Sequence, residues 1–153
     1  HPLWSRGLGD VYKRQLLLVS EDILNKFNLE PVAKIKSMAV VGTDPVLMLS
    51  GPIPATRKAL DQAKLKPEDI NLAEINEAFS SVVGAWRKEF PEINYENVNA
   101  NGGSIAIGHP LGATGARLMT NLIHEMKRNK LKYGLQAICE GGGTANATIV
   151  ELV

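Results

Sequence analysis

Alternating strand-like and helix-like stretches predict an α/β fold, arranged as three layers, α/β/α, around one sheet. Three observations carry that expectation. Short β-rich runs are separated by helical stretches of ten or more residues. Those stretches hold apolar side chains at helical spacing, as in Leu118, Leu122, Ile123 and Met126. The last two β-rich runs are separated only by Gly141-Gly142-Gly143. They read as an antiparallel pair added to an otherwise largely parallel sheet.

Taken in order, residues 16–19 (Leu-Leu-Leu-Val) form a continuous apolar run, as expected of a strand covered on both faces. Ser20 then reads as the N-cap of a short helix ending near Asn28, with Glu21 and Asp22 in its first turn. Residues 32–41 alternate and are β-rich, and Gly42-Thr43-Asp44-Pro45 closes them. Pro52 and Pro54 suit a helix start, residues 55–64 its body, and Leu65-Lys66-Pro67 its stop. Residues 70–75 read as a short strand. Asn76 reads as the cap of a helix over 77–90, with Phe79, Val82, Val83 and Trp86 on one face. Residues 97–107 are glycine-interrupted and β-leaning, and 112–130 return to helix. Two strands follow, over 135–139 and 144–152.

Composition bounds the function classes. The chain has 153 residues, 44% hydrophobic and 22% charged, which suits one domain with a sizeable core. A formal charge of +1, with no basic run, argues against a nucleic-acid or anionic-membrane partner. The longest apolar run is far too short to span a bilayer, and no signal peptide is visible, so a cytoplasmic location is expected. Its single cysteine excludes an internal disulfide. Residues 1–15 begin with His1, show neither periodicity, and read as a non-native leader; the domain is expected over 16–153.

Three segments concentrate chemistry-bearing side chains beside element boundaries or glycine turns: Asn76-Glu77-Ala78-Phe79, Gly108-His109-Pro110, and Cys139-Glu140-Gly141-Gly142-Gly143. They supply a carboxamide, an imidazole and a thiol, a set able to move protons around a carbonyl carbon. Asn76 suits a helix cap or a carboxamide that orients a water. His109 is either a packed histidine or a base near neutral pH. Cys139 in isolation is a small buried hydrophobe, but the glycines after it bring backbone N–H groups close, as an oxyanion site requires. His124, beside Glu125 and Lys127, reads as a solvated face. Gly112-Ala113-Thr114-Gly115 lacks the pattern of a phosphate loop, and its small residues suit close helix packing.

Jointly and in order, these segments, with Asn101-Gly102-Gly103-Ser104-Ile105-Ala106-Ile107 leading into Gly108-His109-Pro110-Leu111-Gly112-Ala113-Thr114-Gly115-Ala116-Arg117, resemble the C-terminal domain of thiolases. Gly51-Pro52-Ile53-Pro54-Ala55-Thr56-Arg57-Lys58-Ala59-Leu60 resembles the stretch opening that family's C-terminal half. The resemblance implies a three-layer domain with a mixed five-stranded sheet. It also implies acyl transfer between 3-ketoacyl-CoA and CoA, through an acyl-cysteine carried by an N-terminal half that this chain does not contain. The fragment alone is then expected to be inactive. On matching positions, His109 resembles the histidine that activates the nucleophile and helps bind the thioester oxygen. Cys139 resembles the second cysteine, which moves the acetyl α-proton. Asn76 resembles the asparagine holding an ordered water, Gly141 the N–H donor of a second oxyanion site, and Met48 and Phe79 apolar residues lining the pantetheine tunnel.

No cofactor is implied beyond CoA, which is a substrate, and no metal. Implied partners are acyl-CoA or CoA, the N-terminal thiolase half, and further copies in a homodimer or homotetramer. Glu140 stands where the family often has a small apolar residue, and Thr144-Ala145-Asn146 where Met-Gly is commoner. These departures bear on acyl-chain length, and the variant is loosely similar to thiolases of degradative, branched-chain and sterol side-chain pathways. Two other readings share the fold: a ketoacyl synthase, which typically has histidine at the Cys139 position, and a non-catalytic lipid-binding domain, which has no need of both His109 and Cys139.

Overall fold

The computed structural model describes residues 15–153. Of the leader expected over 1–15, residues 1–14 lie outside them. Four strands, β1 (Ala33–Gly42), β2 (Leu72–Ile75), β3 (Tyr133–Cys139) and β4 (Thr144–Leu152), form one sheet in the order β1-β4-β3-β2. β2 runs parallel to β3, while β4 lies antiparallel to both β3 and β1, so the sheet is mixed as expected. The sheet has four strands among the described residues, not five.

One expected strand, 16–19, and one β-leaning stretch, 97–107, form no strand, for different reasons. Residues 16–19 have no described strand beside them, hence no ladder for their backbone, and Leu17 is 83% exposed. In 97–107, Val98 makes only an isolated bridge to Ala73. Gly102 and Gly103 then take φ of 97° and 52°, turning the chain into a five-residue helix, Gly103–Ile107. The short helix after Ser20 does form, as α1 (Glu21–Phe27), with Ser20 Oγ accepting from Ile23 N at 3.4 Å and Asn28 closing it in the left-handed conformation.

The three layers are present. α2 (Pro52–Ala63) and α3 (Ser80–Glu89) cover one face, where Ala55, Ala59 and Trp86 pack on Ala145, Ala147 and Ile149. Small side chains on α2 and β4 let helix and sheet approach closely. The fully buried Trp86 fills the remaining volume and donates from Nε1 to Thr56 Oγ1 at 2.9 Å; a side chain of that size gains about 1.5–3 kcal/mol or more on burial. Numbering Gly103–Ile107 as α4, the last helix α5 (Thr114–Asn129) covers the other face through Met119, Leu122 and Met126 against Leu72 and Val150. Of the stripe expected on α5, Leu118, Leu122 and Met126 are buried and Ile123 packs at its margin.

The helix start expected at Asn76 is corrected. α3 begins at Ser80, and Phe79, expected on one helix face with Val82, Val83 and Trp86, precedes it and is 63% exposed. Asn76 does not cap it: its Oδ1 accepts from Ser104 Oγ at 2.8 Å, and its N–H donates to Ala137 O at 2.9 Å, extending the parallel ladder by one residue beyond β2.

Candidate active site

Ligands in open α/β sheets bind beyond the carboxyl ends of parallel strands, where side chains leave the sheet without a following turn of ladder. Asn76 follows the end of β2, Cys139 ends the adjacent β3, and the pairing of Ile75 with Ala137 brings both to the same edge. Asn76 Nδ2 lies 4.0 Å from Cys139 Sγ, a long N–H···S contact. Cys139 and His109 line one cavity of about 590 Å³, together with Met48, Leu111, Gly141 and Asn146. Asn76 stands behind Cys139, fully buried. Phe79 does not line that cavity; Ala78 does.

The polarity of the Asn76 carboxamide is fixed by its neighbours. Arg117, on α5, can only donate, and its Nη2 reaches Ser104 Oγ at 3.3 Å. The Ser104 hydroxyl thus accepts from Arg117 and gives its own proton to Asn76 Oδ1 at 2.8 Å. Asn76 Nδ2 is left as the donor turned toward Cys139. Arg117 Nη1 donates as well to Ile107 O at 3.1 Å and to Gly108 O, the backbone just before His109. One guanidinium therefore ties the carboxamide side of the cleft to the imidazole side.

His109 sits on an exposed turn that glycine makes possible. Gly108 has φ 88° and ψ 163°, a conformation open essentially to glycine alone. Upstream, the Glu77 carboxylate accepts from Ile105 N at 2.8 Å and from Asn99 Nδ2 at 3.1 Å, holding the first turn of α4. A Cβ on Gly103 would lie 2.5 Å from that carboxylate and displace it, and the φ of 52° there disfavours any side chain. The imidazole Nδ1 is 2.7 Å from Thr114 Oγ1, at the start of α5.

The glycine triplet does two things. Gly142 and Gly143 take φ of 72° and 81°, as a tight connection between β3 and β4 requires. Gly143 O also accepts from Thr43 N at 2.7 Å and Thr43 Oγ1 at 2.8 Å, so the loop after β1 is stitched to the site edge. That loop carries Met48, whose N–H donates to Asp44 O at 2.8 Å and whose φ is 52°. Gly115 lies in the small-residue segment expected to permit close packing: its carbonyl accepts from Gln136 Nε2 at 2.8 Å, and it faces Ile138.

Electrostatics make a neutral pair. Burial pushes the Cys139 thiol above its ordinary value, the Asn76 contact opposing this and the Glu140 carboxylate adding to it. Burial, then the Arg117 charge, hold His109 below the usual histidine value. At neutral pH a protonated thiol and an uncharged imidazole face one cavity, one able to give a proton and the other to take one. Among the described residues no cluster of three His, Cys, Asp or Glu side chains is placed to hold a metal ion, and no helix is long and apolar enough to cross a membrane.

Sequence reasoning missed Ser104, Thr114, Arg117 and Glu77, although all four lie inside the segments it singled out. For Ser104 and Thr114, a hydroxyl between apolar or glycine neighbours was the available signal. What such a hydroxyl bonds to depends on contacts across the fold.

Comparison with known proteins follows the same line. The family described as thiolase, C-terminal domain, matches residues 29–152. The chain is 54% identical over 136 residues to the steroid 3-ketoacyl-CoA thiolase FadA6 of Mycobacterium tuberculosis, covering 89% of this chain and 33% of that protein. It is 46% identical over 138 residues to the acetyl-CoA acetyltransferase of Shinella zoogloeoides, covering 88% and 34%. A crystal structure of human mitochondrial 3-ketoacyl-CoA thiolase in complex with CoA matches with a TM-score of 0.85 at 40% identity, covering 88% of this chain and 34% of that one. The chain thus spans about a third of the length of the relatives it matches.

Proposed function

This chain belongs to the thiolase family, as its C-terminal domain, and from that premise we propose that it forms one wall of an acyl-transfer site acting on 3-ketoacyl-CoA and CoA. The observation that carries the reading is the cavity shared by His109 and Cys139, with the Asn76 carboxamide against the thiol. The nucleophilic cysteine comes from an N-terminal thiolase portion. Cys139, where ketoacyl synthases typically have histidine, favours CoA thiolysis over a carrier-protein condensing enzyme. Assembly into dimers or tetramers and a cytoplasmic location belong to the same proposal.

In cleavage, His109 takes the proton of the nucleophilic thiol as its sulfur attacks the keto carbon of the substrate. The bond between C2 and C3 breaks, leaving an acyl-cysteine and the enolate of acetyl-CoA. The Cys139 thiol protonates that carbon, releasing acetyl-CoA. The incoming CoA thiol gives its proton to the Cys139 thiolate and attacks the acyl-cysteine; the departing cysteine recovers its proton from His109. Condensation is the reverse. Charge on the thioester oxygen is met by His109 and an Asn76-held water, and charge on the acyl-enzyme oxygen by the Gly141 N–H. A single donor of this kind is typically worth about 10²–10³ in rate.

The test joins this domain to an N-terminal thiolase portion and measures acetoacetyl-CoA thiolysis and exchange of acetyl α-protons in D₂O. Cys139→Ala is expected to abolish exchange, and His109→Ala to slow acylation of the nucleophile. Undiminished exchange in Cys139→Ala removes the thiol from the mechanism.

A further inference from the structure

The reading above needs a histidine that accepts at one particular nitrogen. Resting on that reading, we infer that Thr114 is a positioning residue that fixes the tautomer of His109, placing the ring proton on Nδ1 and leaving Nε2 as the bare acceptor.

The inference follows from counting protons. A threonine hydroxyl has one hydrogen to give and lone pairs to receive. Thr114 Oγ1 lies 2.9 Å from Pro110 O, and a carbonyl oxygen can only accept. That carbonyl also receives the N–H groups of Ala113 and Thr114, each at 3.0 Å, as the first acceptor of the α5 start. If the hydroxyl turned its hydrogen to His109 instead, two oxygens would face each other at 2.9 Å with no proton between them. Thr114 is 1% exposed, so bulk water does not compete for its hydrogen. Oγ1 therefore receives at its 2.7 Å contact with Nδ1, and Nδ1 carries the hydrogen.

A neutral imidazole has a single N–H, so Nε2 keeps its lone pair. The short loop from Pro110 to Ala113 is what makes the lock local: the residue that orients the ring and the carbonyl that orients the residue lie within five positions of His109. The result is a base whose accepting nitrogen is chosen by a hydroxyl instead of a carboxylate. An uncharged orienting group does not raise the ring's affinity for a second proton as a carboxylate does, in keeping with a histidine held neutral beside Arg117.

The experiment uses the domain joined to an N-terminal thiolase portion, labelled with ¹⁵N-histidine, with the His109 signals assigned by their loss in His109→Asn. In the unmodified protein at pH 8, Nδ1 is expected to be pyrrole-like and Nε2 pyridine-like. Thr114→Val, which keeps the shape and removes the hydroxyl, should mix or invert the two signals and lower kcat about 10–100-fold with KM within two-fold, by analogy with groups that orient metal-ligating histidines. Thr114→Ser, which keeps the hydroxyl, should restore both the spectrum and most of kcat. A pyridine-like Nδ1 in the unmodified protein overturns the inference whatever the activity. So does a Thr114→Val protein with unchanged signals, or equal loss of kcat in the Val and Ser variants, which would make the role one of packing. Absence of thiolysis in the unmodified protein would instead strike at the acyl-transfer reading, because the tautomer is read without turnover.

Discussion

The two sides of the cleft are built by different means. Asn76 and Cys139 stand at the ends of neighbouring parallel strands, and the backbone ladder that pairs Ile75 with Ala137 sets their separation. His109 stands on an exposed turn, and its place is set by point contacts: Glu77 on α4, Arg117 on the carbonyls of Ile107 and Gly108, and Thr114 on the ring. On each side a buried hydroxyl then chooses the polarity, Ser104 making the amide a donor and Thr114 making the imidazole an acceptor. A sheet edge positions side chains through bonds it makes anyway. A loop has to be tied residue by residue, so its residues are the more exposed to mutation.

Arg117 is where that contrast breaks, since it serves both sides. Replacing it by Leu removes donors from Ile107 O, Gly108 O and Ser104 Oγ and leaves the neighbouring Glu74 without its cation. Hydrogen bonds from a charged donor are worth about 1.5–3 kcal/mol each, so losing them together costs about 3–5 kcal/mol. On the acyl-transfer reading, in the domain joined to an N-terminal thiolase portion, we expect a loss of that order in urea unfolding, with kcat for thiolysis down by about 10²-fold or more. A variant that keeps kcat would show that the two sides are held independently.

Glu74 gives the next largest effect. It is 1% exposed, lies on the face of β2 that meets α5, and has one carboxyl oxygen without a hydrogen-bond partner. Burial, with the Glu77 charge adding and Arg117 opposing, raises its pKa from 4.5 to about 7. Between those values the native state keeps a proton that the unfolded chain has released. Its contribution to stability is therefore complete below about pH 4.5 and lost as the pH rises through about 7, a fall of roughly 3 kcal/mol. Glu74→Gln should remove that fall, gaining on the unmodified protein at pH 8 relative to pH 5 in urea midpoints. Parallel pH profiles for the two would place the proton elsewhere.

Ser104→Ala isolates the strand side. Asn76 Oδ1 would stay buried with its donor gone, a loss of about 1–3 kcal/mol in stability. Thiolysis should lose about 10-fold in kcat as the amide becomes free to turn over, with KM for the CoA substrate little changed. An equal rise in KM would mean that Ser104 shapes the cavity and not the amide.

The convergence of His109 and Cys139 on one cavity, with Asn76 behind the thiol, was legible because the three lie at element ends or in a glycine turn, where side chains leave the regular ladder. The strands flanking it were legible for the same reason: residues 135–152 form a hairpin whose turn is spelled by three glycines. The start of α3 was not. Asn76 has the chemistry of a cap, but Ala137 takes its N–H and Ser104 takes its side-chain oxygen, and both partners lie far along the chain. Residues 97–107 misled for a related reason. Val98, Ile105 and Ile107 are β-formers, yet two glycines at positive φ and the Glu77 carboxylate at the helix start decide the local conformation. The apolar run at 16–19 had the composition of a covered strand, but no described strand lies alongside to cover it. Tertiary context overruled local preference in each case.

The smallest expected effect sharpens the contrast through two glycines of the same segment. Gly103 lies on the tied side: an added Cβ would meet the Glu77 carboxylate at 2.5 Å, at a φ of 52° that disfavours any side chain. Gly115 lies within the first turn of α5, where the nearest foreign atom to a new Cβ is Ile138 Cδ1 at 3.6 Å, ordinary van der Waals contact. Its role in accepting from Gln136 belongs to the carbonyl and survives substitution. Gly115→Ala should therefore stabilise the protein by about 0.5–1 kcal/mol, the helix-propensity gain of alanine over glycine, and, although Gly115 lines the same cavity, lower kcat far less than Gly103→Ala does. Gly103→Ala should do the reverse, loosening the turn that delivers His109 and lowering kcat without moving the His109 tautomer. Equal tolerance of alanine at both positions would mean that the imidazole turn holds itself, and that Glu77 merely fills the space beside it.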